Sequence, residues 1–166
     1  MRKNNLPYPW VESDIPIVTA ARGFSDLAEH TLKVIARVGK PVVMVSGPIS
    51  TGGKGSRDEN IKNYAKAIEY LRMKKIPVFD QVLIESLIGF HAKAWQEKGN
   101  TGYCIPILED LYKPIFRSGL VGKLMFMPDW QTSFGSRWER KTAAELAIPI
   151  EDFPPNWEEE FAATTE

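Results

Sequence analysis

The segment MPDWQTSFGSRWERKTA, residues 127–143, sets Asp129, Ser133, Gly135, Ser136 and Glu139 directly after an apolar run. Carboxylates in such a place can serve an enzyme as nucleophile or proton donor. They can also be structural. Ser136 and Glu139 have the spacing of a capping box, in which the serine caps a helix and the glutamate reaches back to the cap amide. That role is worth about 1 kcal/mol. Asp110, in EDLY, sits on the helix leading into the same apolar run, and Asp129 stands at its end; each also reads as a solvated acid or a turn residue. Arg137 and Arg140 flank Glu139. They would keep it ionised or bind an anion, or lie on the helix surface. Trp130 and Trp138 can stack on a planar ligand or fill a core or interface.

A second segment with chemical potential is SGPISTGGKGS, residues 46–56. Its glycines allow close backbone approach, and the helix that follows favours negative charge. Ser46, Ser50 and Thr51 add hydroxyls and Lys54 a cation. It matches neither GxGxxG nor the Walker pattern, because Lys54 is followed by Gly55 and then Ser56. A ligand-free strand-to-helix turn is the competing reading.

The elements that must position these residues follow from periodicity. PVVMVS (41–46) is a Val-rich apolar run that suits a strand covered on both faces. RDENIKNYAKAIEYLRMKK (57–75) puts Ile61, Tyr64, Ala65, Ile68 and Leu71 on one helical stripe, and IPVF (76–79) reads as the next strand. Together they form a right-handed βαβ unit. SDLAEHTLKVIARVG (25–39) is a helix with Ser25 as N-cap and Gly39 at its end. Residues 81–99 form another helix. Residues 107–119 form one that Pro114 kinks or ends early. KLMFMP (123–128) is a third strand, SRWERKTAAELA (136–147) a helix behind it, and IPI (148–150) a short fourth strand. Such a chain is an α/β protein, a three-layer α/β/α sandwich with a mainly parallel, Rossmann-like (flavodoxin-like) sheet and ligands at the carboxyl ends of its strands.

Composition narrows the function classes. Lys plus Arg and Asp plus Glu each total 21, so there is no net charge to capture polymeric nucleic acid or an anionic membrane. The apolar runs are too short to span a bilayer, and MRKNNLPYPW lacks the apolar segment of a signal peptide. A cytoplasmic location is expected. The single Cys104 excludes an internal disulfide and reads as a small buried hydrophobe. His30 and His91 fall in helical contexts and read as structural. Residues 1–22 are expected to be an arm on the body or on a neighbouring subunit, 23–150 a single domain, and 151–166 an irregular acidic tail.

Three stretches in this order, VVMVSGPISTGG (42–53), EDLYKPIFRSG (109–119) and DWQTSFGSRWERKTA (129–143), resemble the nucleoside 2-deoxyribosyltransferase superfamily. Its relatives include the 2′-deoxynucleoside 5′-phosphate N-hydrolases. The late Ser133-x-Gly135-x-x-x-Glu139 has the spacing seen in the nucleotide hydrolases. The resemblance implies that Glu139 is the nucleophile and Asp110 the acid at the base, with Asp129 competing for that role. Gly47, Pro48, Ile49, Ser50, Gly52 and Gly53 would line the sugar and any 5′ group. Ser133, Gly135, Ser136 and Arg137 would complete the pocket, with Ser133 near a hydroxyl or phosphate. The implied reaction cleaves the N-glycosidic bond of a nucleoside or nucleoside 5′-monophosphate without metal or organic cofactor, in a homodimer or larger assembly. The family often has a tyrosine three residues before the first loop glycine; here that position is Met44, leaving Tyr64 or Tyr103 to orient Glu139. A nucleotide-binding module without turnover, and an NAD or sugar-nucleotide hydrolase, are the alternatives.

Overall fold

The computed structural model describes residues 6–166. In chain order the elements are α1 (Asp14–Thr19), α2 (Phe24–Ala36), β1 (Val42–Ser46), α3 (Arg57–Met73), α4 (Glu85–Glu97), α5 (Lys113–Arg117), β2 (Val121–Phe126), α6 (Phe134–Glu145), β3 (Ile150–Asp152) and α7 (Trp157–Thr165). A 3-10 turn, Val82–Ile84, leads into α4, and a π-helical segment, Ile107–Tyr112, leads into α5. The protein is therefore mixed α/β, with a small parallel sheet of order β1-β2-β3. None of the described helices is long and apolar enough to cross a membrane. The chain divides into two compact units, one of residues up to Lys40 with Asp80–Leu120, the other of Pro41–Phe79 with Val121–Glu166.

The first unit is helical. α2 buries Leu27, Ala28, Thr31, Val34 and Ile35, a helical stripe that packs on the π-helical segment and α5. Its N-cap is Gly23, not Ser25, which falls inside the first turn. Gly39, at φ +72°, takes the left-handed turn beyond its end. Pro114 has no amide to return to the carbonyl of Asp110. The chain answers by widening to π pitch over Ile107–Tyr112 and restarting as α5 with the proline in its first turn.

The segment expected to be an arm is partly built into this unit; its residues 1–5 lie outside the described residues. Trp10 is buried and donates its indole N–H to the carbonyl of Asp80 at 2.9 Å. α1 carries Asp14, 1% exposed, whose carboxylate accepts from both guanidinium ends of Arg37 (2.6 and 2.5 Å), from His30 Nε2 (2.7 Å) and from the Val11 amide (2.8 Å). His30 is thus structural, as its helical setting suggested.

The second unit holds the sheet. Every residue of β1 is buried. β1 pairs in parallel with β2, Ser46 opposite Phe126, and β2 pairs in parallel with β3, Phe126 opposite Asp152. The register slips between Val42 and Val43, and Gly122 is the extra residue of β2, where an added Cβ would meet Pro41 Cβ at 2.7 Å. IPVF does not form a full strand. Lys75 turns left-handed at φ +59°, the Ile76 amide returns to Leu71, and Pro77 has no amide, so the ladder shrinks to a bridge between Val78 and Val43. The buried stripe of α3 is Asn60, Tyr64, Ala67, Ile68 and Leu71; Ala65 faces outward and Ile61 is half-buried.

The acidic tail is ordered where an irregular segment was expected. Phe153 and Trp157 are buried, and both rings meet Tyr70 at centroid distances of 5.9 and 5.8 Å. The Tyr70 hydroxyl donates to Glu160 at 2.6 Å, and Lys74 reaches the same carboxylate at 3.2 Å. Aromatic burial, which the charge of the segment masks, fixes α7 against α3.

The Arg37 guanidinium holds the Asp14 carboxyl far below the usual carboxylate range, against the opposing effect of burial, with the Val11 amide and His30 adding to it. A depressed carboxyl contributes stability that is present at neutral pH and is lost as pH falls below about 4. Asp14→Asn should lower stability by about 2–3 kcal/mol, the low side for a buried pair because Arg37 is partly solvated. It should also flatten the acid limb of the stability–pH curve, as read by denaturant melts from pH 7 downward.

Candidate active site

Ser46 is the last residue of β1, at the carboxyl edge of the sheet, and is buried. Its hydroxyl donates to Glu139 Oε2 in a short hydrogen bond. Glu139 is buried in the second turn of α6. The capping-box reading of Glu139 is therefore corrected. The N-cap of α6 is Ser133, whose Oγ accepts from the Ser136 amide at 3.2 Å. Helix α6 starts three residues earlier than the serine–glutamate spacing suggests because the turn Trp130–Thr132 delivers Ser133 in extended conformation. Glu139 is left facing the strand end. Ser136 is buried in the first turn, and its hydroxyl has no hydrogen-bond partner among the described residues.

The glycine-rich loop lies over the same edge of the second unit and is held from two sides. From α3, Asn60 donates its amide to the carbonyls of Ile49 and Gly52, both at 3.0 Å, and accepts from the Lys54 amide at 2.7 Å. From the turn before α6, Thr132 Oγ1 accepts from the Gly53 amide at 2.8 Å and donates to the Asp129 carbonyl at 2.7 Å. Thr51 returns the connection, accepting from the Phe134 amide at 3.0 Å and so adding a second cap to α6. Gly52 and Gly53 have φ of +69° and +65°, and a Cβ on Gly52 would meet the Thr132 carbonyl oxygen at 2.3 Å. At Gly47 a Cβ would strike Met127 Sδ at 2.3 Å, so the first loop residue passes against the end of β2. Ser50, Gly52, Gly53, Ser56, Arg57 and Thr132 border a cavity of about 320 Å³ in front of α3.

The structure gives the expected anion-binding groups other partners. The Gly53 and Lys54 amides are used inside the loop. Lys54 pairs with Glu158 at 3.3 Å, and Arg137 donates to the Gln131 carbonyl at 2.7 Å. Arg140 makes a two-pronged pair with Asp152 (2.6 and 3.3 Å) and stacks over Trp130 and Phe126. Trp130 also packs edge-on against Phe126, so its ring is engaged within the protein. Tyr64, a candidate to orient Glu139, donates its hydroxyl to the Val45 carbonyl, while Met44 is buried in β1.

The candidate residues divide between the units. Gly47, Pro48, Ile49, Ser50, Gly52, Gly53, Asp129, Ser133, Gly135, Ser136, Arg137 and Glu139 all belong to the second. Asp110 belongs to the first, where it is exposed on the π-helical segment and lines a cavity with His91 and Trp95. Asp129 is half-buried just beyond β2. Cys104 is buried, and burial pushes its thiol above the ordinary value, which disfavours a thiolate nucleophile. Among the described residues no cluster of three or more His, Cys, Asp and Glu gathers to hold a metal.

Asn60 and Thr132 are the residues that sequence reasoning passed over. Asn60 carried a usable signal, as a polar side chain on the i, i+4, i+7, i+8 stripe of an otherwise apolar helix face. Thr132 carried none, since its role depends on a loop 79 residues away in the chain. No protein-family model, no curated protein and no solved structure matches the chain.

Thr132→Val should leave the Gly53 amide without its acceptor and cost about 1 kcal/mol. Hydrogen exchange should accelerate at Gly53 and Lys54 and stay unchanged in α7. Ser133→Ala should cost a similar amount through loss of the α6 cap, with exchange rising at Ser136 instead.

Proposed function

We propose that the protein cleaves the N-glycosidic bond of a nucleoside or nucleoside 5′-monophosphate, with Glu139 as nucleophile. The observation that carries this reading is the buried Glu139 carboxylate, held by the Ser46 hydroxyl at the carboxyl end of a parallel strand and beside a glycine-rich loop. That edge is where open parallel sheets bind ligands. The resemblance to the nucleoside 2-deoxyribosyltransferase superfamily supports the same residue. On this reading the parallel sheet and its helices form a three-layer, flavodoxin-like α/β/α sandwich. The enzyme works in the cytoplasm as a homodimer or larger assembly.

The chemistry follows from the charge that develops at the anomeric carbon. As the bond to the base stretches, the sugar becomes oxocarbenium-like, and a neighbouring carboxylate stabilises it. Glu139 then closes on the anomeric carbon to form a glycosyl ester, while the C–N electron pair leaves with the base. The base takes a proton from a second acid, for which Asp129 is the candidate in the same unit. Water, giving its proton to the acid that has just lost one, attacks the anomeric carbon and displaces the Glu139 carboxylate, which releases the sugar; a second base in place of water gives transfer. Ser46 fixes the carboxylate and its hydrogen bond must weaken as negative charge moves into the new bond. The hydroxyls of Ser50, Ser133 and Ser136 offer partners for the sugar oxygens. Because Lys54 and Arg137 are committed elsewhere, the loop hydroxyls are the better phosphate contacts.

A second reading, ligand binding without turnover, is favoured by Met44, which brings a thioether to the position where the resemblance asks for a phenol. Chromatography of a panel of ribo- and deoxynucleosides, each with and without 5′-phosphate, together with NAD and a sugar nucleotide, separates the readings. Free base signals hydrolysis, a new nucleoside in the presence of added base signals transfer, and retention without product signals the binding module. Glu139→Gln keeps an acceptor for the Ser46 hydroxyl and should fold. It should lower turnover by on the order of a thousandfold or more. An unchanged rate per folded molecule would remove Glu139 from the chemistry.

A further inference from the structure

A cavity of about 560 Å³ lies wholly within the first unit. Its volume is in the range of small-molecule sites, about 300–1,000 Å³. Phe24 from α2, His91 and Trp95 from α4, Lys98 just beyond α4, and Asp110 from the π-helical segment line it. Nothing in the reaction proposed for Glu139 uses this hollow as a whole.

Three of its features lack protein partners. His91 is only 9% exposed, and its ring packs edge-on against Phe24 at 5.7 Å and Phe90 at 5.3 Å; no described residue hydrogen-bonds its nitrogens. Its ring nitrogens are not sealed from solvent, so they can serve a molecule that enters the hollow. The thirteen-residue α2 begins at Gly23 with no side-chain cap. Asp26, the acid of its first turn, is instead engaged by the Arg22 amide and guanidinium at 3.1 and 3.2 Å. The first-turn amides and the positive end of the helix dipole therefore border the cavity uncapped. Lys98 forms no ion pair with any described residue, so its ammonium is a free charge at the rim.

We propose that this cavity binds a small flat aromatic molecule carrying one carboxylate. The ring lies against Phe24 and Trp95, the carboxylate meets the first turn of α2 and Lys98, and His91 donates from its ring N–H. Asp26 and Asp110 also line the cavity, against Arg22 and Lys98, and the two acids repel a second negative charge, so a monoanion binds in preference to a phosphate monoester dianion.

The test uses 2-naphthoate, the uncharged 2-naphthylmethanol and 2-naphthyl phosphate as probes of the full-length protein. Indole N–H signals are followed by nitrogen-15 NMR, with the Trp95 signal assigned through Trp95→Phe. 2-Naphthoate should shift the Trp95 indole with saturation. The alcohol and the phosphate should bind about tenfold or more weakly, the difference one charge-assisted hydrogen bond supplies. Lys98→Ala, a surface change that leaves the core intact, should weaken 2-naphthoate by a similar factor and leave the alcohol unaffected. His91→Gln tests the remaining donor but can disturb packing, so Lys98→Ala is the deciding variant. A Trp95 signal unmoved by 2-naphthoate, equal binding of acid and alcohol, or indifference to Lys98→Ala would each overturn the proposal. Binding is read without turnover, so this outcome is separate from the fate of the Glu139 reaction.

Discussion

The hydrogen bond from Ser46 to Glu139 is the interaction on which the candidate site depends. It joins the end of β1 to the second turn of α6 across 93 residues of sequence. A carboxylate taken out of water loses solvation that only a well-placed donor restores. The donor here is a hydroxyl on the most buried strand, so the acid is fixed by the sheet itself and not by a loop. Two further contacts at this point of the chain reinforce that position. Gly47 runs too close to Met127 for a side chain, and the Ser46 carbonyl accepts from the Met127 amide at 2.9 Å, which locks the ends of β1 and β2 together.

From that fixed point the glycine-rich loop takes its form. A loop of this composition is expected to leave its amides free for a ligand. In this protein side chains close it: Asn60 serves three loop groups, Thr132 takes the Gly53 amide, and Thr51 caps α6. Satisfying the amides internally gives a pre-formed loop whose shape costs no ordering on binding. The same closure removes part of a phosphate cradle. Positive φ at Gly52 and Gly53 is needed for the chain to approach Thr132 and Asn60 so closely, which gives these two glycines a structural reason independent of any ligand.

Much of the frame was legible because periodicity reports burial directly. The largely apolar PVVMVS and the run before Pro128 became strands of the sheet, and helices formed around Tyr64, where a stripe predicted one, and around Thr142. The failures have separate physical causes. Two serines three residues apart, Ser133 and Ser136, both precede a helix, and only the extended backbone at Ser133 makes it the cap. IPVF has strand composition, yet Pro77 and the turned-back Ile76 amide leave too few donors for a ladder. The C-terminal segment looked solvated because its acids outnumber its aromatics, while Phe153 and Trp157 decide its place. The Asp14, His30 and Arg37 cluster gathers residues from α1, from the middle of α2 and from just beyond its end, a convergence that no local pattern encodes. Within the candidate site, Glu139 could be singled out by type and spacing, but its partner Ser46 and the clamps Asn60 and Thr132 depend on tertiary contacts.

The buried serine–glutamate pair also bears on why such a residue stands there at all. Replacing a buried polar or ionic pair with apolar side chains of similar volume is often neutral or stabilising, whereas removing one partner alone is strongly destabilising. Stability therefore gives little reason to place a glutamate at this point of α6, where Thr142 and Ala143 show that small side chains pack well one turn on. Nor does helix capping, since Ser133 and Thr51 already serve the first turn. Local rules broken without a structural return are characteristic of sites where chemistry sets the residue. The contrast with Asp14 makes the point within the same molecule. Asp14 has a guanidinium, an imidazole and an amide as donors, the full set a structural carboxylate requires. Glu139 instead takes the hydroxyl of Ser46 at the carboxyl end of β1, the edge at which open parallel sheets bind their ligands.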